Sequence, residues 1–222
     1  MCIRDRFLDD QAADPAQGSG RARLLNCIAF ALFRLDELPA LRRQVRDRSV
    51  PVEDADSRFT QVIGSLLAVV FEAADLALDP GVTRILVALL NFMQGKESSG
   101  QERACGVTGF TAGCFTDTQK ARMLGLAANQ RRSFDTYAHY AEGAALQCWA
   151  ELQQQDPPLQ RMRDMAQRTD SAQPVDSTLA ELWFNLSTAR IDAMREIESL
   201  LAEALAQQCN RRIAETLSLI HI

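Results

Sequence analysis

Apolar residues recur at steps of three and four along this chain, and alternation with a period of two is nowhere sustained. Side chains on an α-helix repeat about every 3.6 residues, so the pattern predicts helices that each bury one stripe, and no sheet. One helix is expected from about Arg21 through Leu35, with Pro39 either kinking it or opening a second short helix from Leu38 to Asp47. After a polar loop at 48–54, Phe59, Ile63, Leu66, Val70, Ala73 and Ala77 mark one face of a helix from about Asp54 to Leu78. Asp79 can cap the next helix, with Pro80 at its first position, where a missing amide hydrogen costs nothing; that helix is expected to reach about Ala112. Another starts at Thr116 or Asp117 and runs to Ala141, carrying Met123, Ala127, Gln130, Phe134 and Tyr137 on its inner side. Asp-Pro-Pro at 156–158 interrupts the following stretch, and residues 168–177 form the clearest loop. Thr178 and Glu181 then suggest a capping box for a last helix reaching about Glu215, roughly 55 Å long at 1.5 Å per residue. Long helices with short connections imply an all-α fold of up-and-down bundles with long shared helices, read as one domain over residues 7–216.

The two ends do not belong to this pattern. "MCIRDR" at 1–6 and "LSLIHI" at 217–222 back-translate to DNA strings that are reverse complements of each other. They resemble a transposon end carried as an inverted adapter on both sides of an insert. Residues 1–6 and 217–222 are therefore expected to be adapter-derived tails, and the remainder a piece, about 210 residues long, of something larger.

Twenty-four Lys and Arg against 29 Asp and Glu leave a net charge of −5, which argues against a nucleic-acid surface within these residues. Outside the tails, Cys27, Cys105, Cys114, Cys148 and Cys209 include no C-x-x-C pair and are odd in number. They read as reduced, mostly buried thiols of a cytoplasmic protein rather than a disulfide framework or zinc site. No window approaches the roughly 18 uncharged apolar residues of a membrane span, so none is expected. No glycine-rich phosphate loop, nucleophile elbow or metal-spaced cluster is present, so neither an enzyme nor a cofactor nor a metal is expected. His139 reads as a helix-surface residue and Gly113 as a helix C-cap.

In "NFMQGKESSGQERACGVTGF", residues 91–110, two cations stand where the apolar stripe calls for leucine. The stripe reads Ile85, Leu89, Phe92, Lys96, Ser99 or Gly100, Arg103, Val107, Phe110 and Cys114. Lys96, Gly100 and Arg103 follow the i, i+4, i+7 rule, a positively lined notch with a residue lacking a side chain between two charges. Glu97 and Glu102 fall off this stripe. The last helix repeats the irregularity, with Trp183, Leu186, Arg190, Met194, Ile197 and Leu201 on its stripe, whereas Arg195 shares the polar side with Glu181, Thr188 and Glu198. Trp183 and Phe184 are expected to pack the core, and Gln130 either donates to an anion or bonds to a neighbouring helix. A buried cation left unpaired costs several kcal/mol, so each of these needs a carboxylate or an anion. An interhelical salt bridge meets that need; so does an oxyanion held in the planar fork of an arginine.

"GKESSGQERA" (95–104) and "LWFNLSTARIDAMREIE" (182–198) resemble the nitrate- and nitrite-sensing NIT domain, and "IAFALFRLDELPALRRQV" (28–45) resembles its proteobacterial antiterminator members. The resemblance covers most of residues 20–215. It implies an all-α sensor of two stacked bundles, with nitrate or nitrite bound between helices by arginines. Arg103 matches the motif arginine, Arg190 is the candidate for the later one, Lys96 is a supporting charge, and Gly100 is the space between them. The family's early Q-R-E-R-G motif, whose arginine contacts the anion, has no counterpart here, and residues 7–10 resemble the stretch just after that motif. Similar members continue into an ANTAR RNA-binding domain, expected shortly after Thr216, so RNA would be reached only through that domain. A homodimer is expected. The competing expectation is a ligand-free helical dimerisation or scaffold module in which Lys96, Arg103 and Arg190 pair with carboxylates across helices.

Overall fold

A computed structural model describes residues 15–154, 157–169 and 174–220. Its elements are α1 (Pro15–Arg46), α2 (Val52–Leu76), α3 (Pro80–Thr111), α4 (Asp117–Tyr140), α5 (Gly143–Gln153), α6 (Pro157–Arg168) and α7 (Leu179–Ile220). Among the described residues there is no strand. The all-α class follows as the three-and-four spacing predicts. The expected tail at 1–6 lies outside the described residues, and α7 continues through Leu217 to Ile220. Contacts divide the chain into two compact units, one through Leu86 and one from Val87.

The first unit contains α1 packed on α2. Two expectations are corrected here. Of the two alternatives at Pro39, the restart is excluded, because α1 runs as one helix of 32 residues with the proline inside it. An interior proline removes one amide donor and crowds the preceding turn; tertiary packing overrides that local penalty, since Leu41, two residues on, is buried. On α2 the buried residues are Ala55, Val62 and Ser65, whereas Phe59, Ile63, Leu66, Val70 and Ala73 are half-buried and Ala77 lies past the helix end. The buried face is turned by one residue, about 100°, from the anticipated stripe. The apolar stripe of α2 is broad, and packing against α1 buries only part of it. Helix α2 is also long and apolar enough to cross a membrane by length and composition, correcting the expectation that no segment qualifies. Arg23 of α1 ties the pair together, reaching Glu72 at 3.1 Å and Asp75 at 2.9 Å.

Entry into α3 follows the sequence closely, because the Asp79 carboxylate accepts from the Val82 amide at 2.9 Å, satisfying one of the first-turn donors. At its far end Gly113, with φ of 72°, turns the chain, its amide donating to Phe110 O at 3.0 Å. Thr116 and Gln119 then form a reciprocal capping box for α4. Ahead of α7 the Asp176 carboxylate accepts from the Thr178 amide at 2.9 Å. At 42 residues, α7 extends about 60 Å.

The second unit holds two aromatic clusters. One gathers Phe92, Phe134, Tyr137, Trp149, Met194 and Ile197; the other gathers Phe110, Phe115, Met123, Met162 and Trp183. Both depend on places where α3 has no side chain. A Cβ on Gly95 would stand 2.5 Å from the Phe134 ring, and one on Gly106 would stand 2.2 Å from the Trp183 indole. Small residues on α3 are thus seats for large ones on α4 and α7. The α4 stripe holds at Met123, Gln130, Phe134 and Tyr137, with Leu126 buried in place of Ala127. Of the five described cysteines only Cys105 is buried, which corrects the expectation of mostly buried thiols.

Candidate functional site

Gly95, Ser99, Glu102 and Gly106 form the innermost line of α3, flanked by Phe92 and Phe110. Lys96, Gly100 and Arg103 stand beside that line, half-buried, rather than at its centre. This corrects the helical phase of the motif by one residue. Large apolar residues suggest one stripe, but glycine and serine are what fit beneath the incoming rings. The fully buried charge of α3 is therefore Glu102, 2% exposed, and not either cation.

Helices α3 and α7 run antiparallel, as their contacts show: Lys96 meets Glu198, Ser99 meets Arg190, and Arg103 meets Thr188 and Trp183. Lys96 Nζ lies 2.5 Å from Glu198 Oε2, with both side chains about a quarter exposed. At that exposure the pair contributes at most about 1 kcal/mol. Arg103 Nη1 donates to the neutral Thr188 hydroxyl at 2.9 Å, and its guanidinium carbon sits 5.4 Å from the centre of the Phe184 ring. The Trp183 indole nitrogen donates to Arg103 O at 2.9 Å, which anchors the backbone at that arginine. Phe184 is 46% exposed, so it does not pack the core as expected of it, whereas Trp183 is fully buried.

Arg190 reaches back along the seam, its Nη1 3.5 Å from the Ser99 hydroxyl, near the outer limit of a hydrogen bond. Its guanidinium carbon lies 5.6 Å from the Phe134 ring centre and 5.7 Å from that of Trp149, both within cation–π range. Gly100 adjoins Ser99, and a Cβ placed on it would meet nothing within 4 Å. Arg103 and Ser99 are about 6 Å apart along α3, and Thr188 and Arg190 about 3 Å apart along α7. The structure thus brings Lys96, Gly100, Arg103 and Arg190 onto one seam. Arg195 is exposed on the polar side of α7, as its phase predicts, and so is His139 on α4.

Three residues of this region escape the periodic reading. Periodicity puts Glu102 off the stripe, yet Arg163 of α6 grips both of its oxygens, at 2.7 and 2.8 Å. Nothing in the sequence pairs positions 61 residues apart. Ser187, 5% exposed on the face of α7 that carries Arg190, has a hydroxyl without a hydrogen-bond partner among the described residues. Gln130 is buried and engaged with Ser99, Glu102 and Arg163, so of its two expected roles it takes the interhelical one. Burial pushes the Cys105 thiol up from its ordinary value. Among the described residues no group of three or more His, Cys, Asp or Glu could hold a metal ion.

Comparison with known proteins identifies a family for the chain. Residues 4–206 match the family described as NIT, nitrate and nitrite sensing. A nitrate regulatory protein of Klebsiella oxytoca is 35% identical over 191 residues, which is 86% of this chain and 48% of the relative. The solved structure of the NasR transcription antiterminator aligns with a TM-score of 0.79 at 32% identity, covering 97% of this chain and 58% of that one. The chain spans about half the length of these relatives.

Proposed function

The chain belongs to the NIT family of nitrate and nitrite sensing, and on that premise we propose that it binds the anion between α3 and α7 as the sensing domain of a transcription antitermination regulator. Arg103 and Arg190 supply the donors, Lys96 adds a supporting charge, Gly100 leaves the space, and the Ser187 hydroxyl offers a further bond. A guanidinium presents its N–H groups in a planar fork, which matches a planar oxyanion better than a lysine ammonium can. The observation that carries this reading is the placement of both arginines on one seam beside open space, with a neutral hydroxyl at Arg103 that an oxyanion can replace as partner. A four-atom ligand at about 1.5 kcal/mol per atom gains roughly 6 kcal/mol, a dissociation constant in the tens of micromolar.

An anion joined to α3 and α7 together favours the packing in which both guanidiniums face it, and disfavours any other. That bias is the signal. It passes along α7 to an RNA-binding output domain beyond Thr216, in a cytoplasmic homodimer that uses no cofactor. The sensing family is a regulatory rather than an enzymatic one. Calorimetric titration with nitrate, against chloride and sulfate as controls, tests the reading on this chain and on a longer version carrying the Q-R-E-R-G motif. Heat with nitrate alone supports it, and no heat in either version overturns it. The Lys96–Glu198 pair favours a second reading, a ligand-free dimerisation or scaffold module held by ordinary interhelical contacts; the same titration separates the two.

A further inference from the structure

Of the two motif charges that anion binding does not use, Glu97 and Glu102, only Glu102 is buried. Glu102 is held by Arg163 through Nε at 2.7 Å and Nη2 at 2.8 Å, a bidentate fork between α3 and α6. Gln130 of α4 donates its Nε2 to Glu102 Oε2 at 2.8 Å. The Gln130 Oε1 accepts from the Ser99 hydroxyl at 2.9 Å and from Arg163 Nη2 at 3.3 Å. Because Glu102 accepts the amide nitrogen, the oxygen of Gln130 is the end turned to Ser99, and the amide cannot flip without facing a carboxylate with its own oxygen. The Ser99 hydroxyl has one proton and two acceptors at 2.9 Å, Gly95 O and Gln130 Oε1, and in either arrangement a lone pair remains for Arg190 Nη1 at 3.5 Å. Five side chains from four helices therefore form one polar chain from Arg163 to Arg190.

We propose that Glu102 and Arg163 are positioning residues for Arg190. Their fork fixes the Gln130 amide, the amide orients Ser99, and Ser99 holds one edge of the Arg190 guanidinium while the stacked Phe134 and Trp149 rings lie together on one side of it. This rests on the reading of Arg190 as an anion ligand, and it adds that helix α6, which carries none of the proposed anion ligands, sets the geometry of one of them. A chain of buried polar groups transmits orientation only when each member is satisfied, so a break at any link loosens the end.

Two variants break the chain without removing a ligand. Glu102→Met combined with Arg163→Met replaces the buried ion pair by apolar side chains of similar length, a change that such pairs often tolerate. Ser99→Ala cuts the last link and alters the packing least. In isotope-labelled protein without nitrate, the guanidinium nitrogen resonance of Arg190 is expected to shift or broaden in both variants, while circular dichroism reports unchanged helix. In nitrate titrations both are expected to lose about tenfold in affinity, the scale of one charge-assisted hydrogen bond. If the double variant fails to fold, Ser99→Ala alone decides the matter. An unchanged Arg190 resonance, or unchanged nitrate affinity in a folded variant, overturns the proposal. A shifted resonance in a protein that takes up no nitrate at all leaves the positioning standing and removes the anion reading instead.

Discussion

Arg103 and Arg190 stand on one seam, yet they differ in what holds them. Arg103 lies on an exposed phenylalanine and bonds to a hydroxyl, whereas Arg190 is set against two buried rings. Replacing either by alanine is expected to weaken nitrate binding tenfold or more, since each removes a charge-assisted interaction of about 1.5 to 3 kcal/mol. Arg195→Ala, on the exposed side of the same helix, is expected to leave the calorimetric affinity unchanged; loss at Arg195 with retention at Arg190 would reverse the assignment. Two glycines in the motif separate structure from function in the same way. Gly95→Ala pushes a Cβ to 2.5 Å from the Phe134 ring, which Trp149 blocks from retreating at a centroid distance of 4.3 Å. Overpacking of that kind costs about 1 to 3 kcal/mol. Gly100→Ala meets nothing within 4 Å and gains up to about 1 kcal/mol of helix propensity. Thermal denaturation is expected to show Gly95→Ala less stable and Gly100→Ala at least as stable as the parent, with nitrate affinity reduced in both.

Along α3 three charged groups differ in stability by their burial. Removing Glu102 breaks a buried ion pair from one side, so Glu102→Leu is expected to cost about 3 to 5 kcal/mol in urea denaturation. Lys96→Met breaks a pair that is about a quarter exposed and is expected to cost less than about 1 kcal/mol. Asp79→Ala deletes the cap at the start of the helix and is expected to cost about 1 kcal/mol. The order Glu102, Asp79, Lys96 is the test, and a larger loss at Lys96 than at Glu102 would contradict the geometry. The helix itself, its cap and its glycine terminus were all legible in the sequence, because Asp79-Pro80 and Gly113 act through bonds within three residues of themselves. Its inward face was not, because the residues lining it are glycines and serines whose fit depends on rings carried by α4 and α7.

At the scale of the whole molecule the two units are unequal. The second is built on two aromatic clusters, whereas the buried apolar side chains of the first are all aliphatic: Ala31, Leu41, Ala55, Val62 and Leu86. Aromatic side chains bury the largest areas, so the second unit has the greater driving force for its size. Amide hydrogen exchange is expected to be slower at Phe134 and Met194 than at Val62 and Ala31. Equal protection at all four positions would mean that the units open together.

By itself the sequence determined that this chain is helical, where α2, α3 and α4 begin and end, and that α3 and α7 each carry a cation near a buried face. Those properties follow from local spacing and short-range capping, which the chain encodes within a few residues. Tertiary structure alone decided that α1 passes through Pro39, which face of α2 is buried, that Lys96 meets Glu198, and that the buried charge of the motif is Glu102 held by Arg163. Each of those outcomes depends on a neighbour tens of residues away, or on packing of the whole helix, and a helical period cannot express either.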